Sequence, residues 1–73
     1  MKTLFKKDQG VVVTEPDHPL RGRTGRVWRL RFCDDGAWVQ INGADIGHAL
    51  ARFPQGDSRR NHVVLFPEQC ESL

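Results

Sequence analysis

Arg21-Gly22-Arg23-Thr24-Gly25-Arg26-Val27-Trp28-Arg29-Leu30-Arg31 holds five of the chain's eight arginines, two glycines and one tryptophan, and no acidic residue. Gly22 and Gly25 mark a tight turn or a close approach of backbones, and a strand follows over 25–33. Period-two alternation puts Leu30 and Phe32 on its inner face and Arg29 and Arg31 on its outer face. Val27 is out of phase with Leu30 by one. For both to point inward, the strand must carry a β-bulge near Trp28-Arg29, a device of strongly bent strands in small barrels. The same stretch interleaves arginines with an aromatic, the combination that holds a phosphate backbone and stacks on a base.

Upstream, Val11-Val12-Val13-Thr14 is a strong β signal with Val11 and Val13 on one face. Pro16 and Pro19 bracket Asp17-His18, so a rigid arc leads into the Gly22 turn. The residues before Gly10 read as a polar lead-in. Downstream, Asp34-Asp35-Gly36 predicts a hairpin with positive φ at the glycine. A third strand over 37–41 follows, with Val39 and Ile41 facing one way, Trp38 and Gln40 the other. A strand over 62–66 places Val63 and Leu65 inward. Pro67-Glu68-Gln69 reads as one 3₁₀ turn, after which the spacing of Cys70 and Leu73 returns both to the core. Residues 42–61 allow either a short helix carrying Ile46, Ala49, Leu50 and Phe53, or a long hairpin. In either case Leu50 and Phe53 are expected to cover one mouth of the core.

Seventy-three residues point to one domain spanning 1–73. Such a chain buries roughly 60% of its unfolded surface, which favours a binding module over an enzyme with a deep pocket. The net charge of +2 is unevenly spread. Residues 1–20 sum to zero, 21–31 to +5 and 32–73 to −3. Cys33 and Cys70 form no C-x-x-C pair, and no apolar run follows the N-terminus. The expectation is therefore no signal peptide or membrane span, a reducing cytoplasm, and two free thiols buried as small hydrophobes. His18, His48 and His62 have no ligand spacing with one another or with the cysteines, so neither a metal nor a cofactor is expected. Asp34 and Asp35 are accounted for by the turn, and neither cysteine sits at an evident helix N-terminus that would activate it.

The order of strand, arc, glycine turn and strand, Asp-Gly hairpin, strand, strand, 3₁₀ turn and short last strand resembles SH3-like barrels. More narrowly, Val11-Val12-Val13-Thr14-Glu15-Pro16, Pro19-Leu20-Arg21-Gly22 and Thr24-Gly25-Arg26-Val27-Trp28-Arg29-Leu30 resemble the KOW module of transcription elongation factor NusG and of ribosomal proteins, whose motif centres on the glycine at Gly25. The resemblance implies an all-β, small SH3-like barrel of about five strands, with a 3₁₀ turn before the last strand and an insertion at 42–61. Its implied partner is RNA or a ribonucleoprotein complex. Two departures stand out: Asp17-His18 replace the usual glycine before the proline, and 42–61 replaces a short turn. Long insertions there are similar to the photosystem I SH3-like subunit and the ferredoxin–thioredoxin reductase variable chain. Those families imply protein docking to an acidic partner instead. Val39-Gln40-Ile41 echoes a pore stretch of plasmid-type dihydrofolate reductases, but Asn42 stands where those have tyrosine, and no enzyme is expected.

The candidate contact residues are Arg21, Arg23, Arg26, Arg29 and Arg31, with Trp28 and Trp38 on adjacent strands and Arg59-Arg60 in a polar loop. Lys6 and Lys7 are possible extensions of the basic surface. If three to five arginines each neutralise a phosphate of a single strand, log K falls with log[salt] at a slope of about −2 to −3.5. The plain alternative is that Arg29 and Arg31 are the solvent face of an amphipathic strand and cover apolar surface with their stems. For either tryptophan, the alternative is closure of one end of the barrel.

Overall fold

The computed structural model describes residues 5–43, 46–47, 56–57 and 59–73. They form six strands: β1 (Gly10–Val13), β2 (Thr24–Leu30), β3 (Ala37–Ile41), β4 (Gly56–Asp57), β5 (His62–Leu65) and β6 (Cys70–Ser72), with a 3₁₀ turn, Pro67–Gln69, before β6. All pair antiparallel in one sheet of order β4-β5-β3-β2-β1-β6. The chain is all-β, and its small sheet wraps a single core in barrel-like fashion. Val11, Val13, Val27, Val39, Ile41, Val63 and Leu65 are buried there, the positions that period-two alternation turns inward, and Phe5, Leu20, Ile46 and Cys70 join them. The sixth strand, beyond the five expected, is β4 within the insertion. It pairs Gly56 with Val63 and Asp57 with His62. Leu50 and Phe53 lie outside the described residues.

The bulge required by the phase of Val27 is present. Val27 faces Val39 and Arg29 faces Trp38, so Trp28 is the extra residue on β2. Gly25 sits where the β3 backbone leaves no room for a side chain on β2. A Cβ there would lie 2.5 Å from the Gln40 carbonyl oxygen, and Gly22 turns the chain at φ +84°. The arc over 14–23 is ordered by its own hydrogen bonds. The Leu20 N–H donates to His18 Nδ1 at 3.0 Å, and the Gly22 N–H donates to the Val13 oxygen at 2.8 Å. The N-terminal lead-in contributes more than polarity predicts. Phe5 is in the core, and the Asp8 N–H donates to the Val27 oxygen while the Val27 N–H donates to the Gln9 oxygen.

Expectations fail at several strand ends and loops. β2 stops at Leu30 rather than continuing to 33; Leu30 keeps the inward register, opposite buried Ala37, but is 45% exposed, and Phe32 is 96% exposed rather than inward. The cause is the loop that follows. The Arg31 N–H donates to the Gly36 oxygen, and Asp34 Oδ1 accepts from the Gly36 N–H at 2.9 Å. The chain thus leaves the ladder before alternation can carry Phe32 inward, while Phe5 and Pro67 border the hollow beside Leu30. Gly36 has no positive φ; crowding by Asp34, Phe66 and Arg31 selects it. Cys33, in this loop, is exposed, and only Cys70 is a buried thiol. Leu73 is 73% exposed because a spacing of three from Cys70 puts it on the opposite side of an extended chain.

Candidate functional site

The register across three strands sets the outer face. Arg26, Gln40 and His62 lie in one row over β2, β3 and β5, and Arg29, Trp38 and Val64 in another. Between these rows Val27, Val39 and Val63 point inward. A regular strand would alternate, sending one of Trp28 and Arg29 into the core. The bulge instead leaves both exposed on the outer side.

Trp28 does not simply project. Its ring stacks on that of His62 with centroids 4.5 Å apart and planes at 26°. To do so the indole crosses β3, the strand lying between β2 and β5. His62 is thereby only 6% exposed, while Trp28 remains 42% exposed. Burial pushes the His62 imidazole below its ordinary pKa, the nearby Arg60 charge lowers it further, and Asp57 partly opposes them. The neutral ring is therefore favoured at neutral pH.

Beyond Trp28 lies an open groove of about 390 Å³, lined by Trp28, Arg29, Leu30, Arg31, Phe32, Cys33 and Trp38. None of these seven carries a carboxylate. The Arg29 guanidinium stands 6.0 Å from the centroid of the Phe32 ring, the outer limit of a cation–π contact. A second hollow on the same side is lined by Lys7, Trp28, Arg29 and Leu30. Lys7 arrives there because residues 8 and 9 are bonded to Val27.

The eleven-residue basic stretch does not form one patch. Arg26 and Arg29 are exposed on the outer face with Trp28, and Trp38 is half-buried beside them. Arg31 is drawn into the β2–β3 loop instead of facing outward. Its Nε lies 3.4 Å from Asp34 Oδ1 and its Nη2 donates to Cys33 Sγ at 3.4 Å. The contact with Cys33, then the Asp34 charge, raise its pKa against the effect of burial. Arg21 and Arg23 are exposed at the opposite end of β2, in the arc. Arg59 and Arg60 are exposed in the turn before β5 and flank the outer face, since the Arg60 oxygen accepts from Gln40 Nε2 at 3.5 Å. Sequence reasoning overlooked His62, although the parity that turns Val63 inward also turns His62 outward. It placed Phe32 on the inner face with Leu30, and no local pattern marks the end of β2 between them. Comparison with protein-family models, with curated proteins and with solved structures finds no match to this chain.

Proposed function

We propose that the protein is a non-enzymatic binding module of KOW-type SH3-like character that holds RNA, or an RNA-containing assembly, on the outer face of β2, β3 and β5. One observation carries this reading: the bulge sets Trp28 and Arg29 side by side above a groove that also holds Phe32 and Trp38 and is lined by no carboxylate. Aromatic faces bind bases with little regard to sequence, and arginines bind phosphates. Arg26 in the same strand, Lys7 in the adjoining hollow and Arg59-Arg60 in the flanking turn extend the cationic surround. The resemblance at Thr24-Gly25-Arg26-Val27 supports the reading by analogy. The test is titration with short RNA at low and then rising salt, following tryptophan fluorescence. Quenching that weakens steeply with salt is expected; no binding at low salt overturns the proposal.

A second reading has its own support. Leu30 is exposed beside Trp28 and Phe32, and an aliphatic side chain offers nothing to a base. Tryptophan, arginine and neighbouring apolar groups are the composition of protein-interface hot spots. On that reading the arginines meet carboxylates of an acidic partner. A complex recovered from native lysate that survives nuclease and is lost on Leu30→Asp distinguishes this reading from RNA binding.

A further inference from the structure

We infer that the RNA held by this face is an unpaired segment, one of whose bases stacks on the outer side of Trp28, and that His62 is the positioning residue for that stack; the inference rests on the RNA reading above. Trp28 has two ring faces. One is occupied by His62 at 4.5 Å, and the side chain as a whole stays well exposed. The indole is thus braced from below, and little side-chain freedom remains to be lost when a base settles on it. Duplex RNA hides its base faces in its own stack and offers phosphates and 2′-hydroxyls along a shallow groove. It can satisfy the arginines but leaves the indole bare. An unpaired nucleotide satisfies both.

The cations are disposed to match. On the outer face Arg26 precedes Trp28 and Arg29 follows it, while Lys7 shares a hollow with Trp28 and Arg29. A stacked base carries a phosphate on either side along its strand, so positive groups before and after the platform complement the backbone of a strand crossing it. Phe32, with Arg29 above its ring, is available to a neighbouring base.

The test is fluorescence anisotropy with a labelled, unstructured oligoribonucleotide and a labelled blunt hairpin duplex of equal phosphate count at one salt concentration. The oligonucleotide is expected to bind more tightly. Trp28→Ala should weaken it about 5- to 150-fold and leave duplex binding unchanged, whereas Arg29→Ala weakens both. His62→Ala should weaken the oligonucleotide alone, and His62→Phe, which restores a flat ring beneath the indole, should recover it. A purely structural role for His62 would not produce that ligand-selective pattern. If Trp28→Ala does not fold, Trp28→Leu keeps the apolar contact with His62, lacks the ring, and carries the same expectation. Duplex binding as tight as the oligonucleotide, or equal losses on both ligands with Trp28→Ala or Trp28→Leu, overturns this inference and leaves RNA binding standing. Absence of binding to either RNA overturns both.

Discussion

Deleting Trp28 should leave the barrel folded and remove its platform. The register sets Val27 opposite Val39 and Arg29 opposite Trp38, with Trp28 as the surplus residue. Without it, Val27, Arg29 and Leu30 can keep their present partners in a regular ladder. The cost follows from what the side chain hides. With Trp28 42% exposed and a whole surface taken as ~250 Å², roughly 145 Å² is buried, which at ~25 cal/mol/Å² is about 3.5 kcal/mol as an upper estimate. Domains of this length are stable by roughly 4–11 kcal/mol, so the deletion should remain folded. Urea unfolding followed by circular dichroism measures the loss, and cross-strand NOEs between Leu30 and Ala37 report the register. The control is deletion of Arg26, which drags Thr24 into the place of Gly25, where a Cβ would lie 2.5 Å from the Gln40 oxygen; that chain should unfold. The reasoning is refuted if the Trp28 deletion unfolds, or loses the Leu30–Ala37 pairing, while Trp28→Ala stays native. The bulge would then be a requirement of the fold.

Charge removal should divide the arginines: Arg29→Ala or Arg26→Ala lowers the magnitude of the single-strand salt slope by about 0.7. Arg21→Ala, at the far end of β2, leaves it unchanged in the same titrations, and Arg31→Ala, beside Asp34, changes it less than Arg29→Ala does. Gly25→Ala should cost about 1–3 kcal/mol by overpacking, and Gly22→Ala about 1–2 kcal/mol through its positive φ alone, both read from urea midpoints. Stability should fall on either side of a plateau. His62 has a native pKa below 6.5, so the unfolded chain binds more protons just below that pH and stability is lost as pH drops through this range. Burial pushes the Cys70 thiol up from 9.0 to about 12, so stability is lost as pH rises from 9 toward 12. His62→Phe and Cys70→Val should flatten the acid and alkaline limbs of the pH profile respectively. A thiol reagent should modify exposed Cys33 in the native protein and reach buried Cys70 only on unfolding.

Much of the fold is legible in single residues. Alternation turns Val11 and Val13, Val39 and Ile41, and Val63 and Leu65 inward, and all six are buried. The phase slip between Val27 and its neighbours demands the bulge found at Trp28. These readings hold because the period of a strand is a local property of the backbone. The site is less legible. The basic stretch 21–31 names Arg26, Trp28 and Arg29 but also Arg21, Arg23 and Arg31, which lie elsewhere or are engaged in the loop.

The sequence alone therefore determined which residues alternate, where the chain must turn, and that β2 cannot be a regular strand. Tertiary structure decided what local periodicity does not encode: where each ladder ends, and which residues of different strands meet. Loop bonds from Arg31 and Asp34 end β2 at Leu30 and leave Phe32 in solvent. The pairing of β3 with both β2 and β5 brings His62, thirty-four positions away in sequence, beneath Trp28. A side chain's face is fixed by its neighbours along the chain; its partners are fixed by strand order and register, which only the folded sheet supplies.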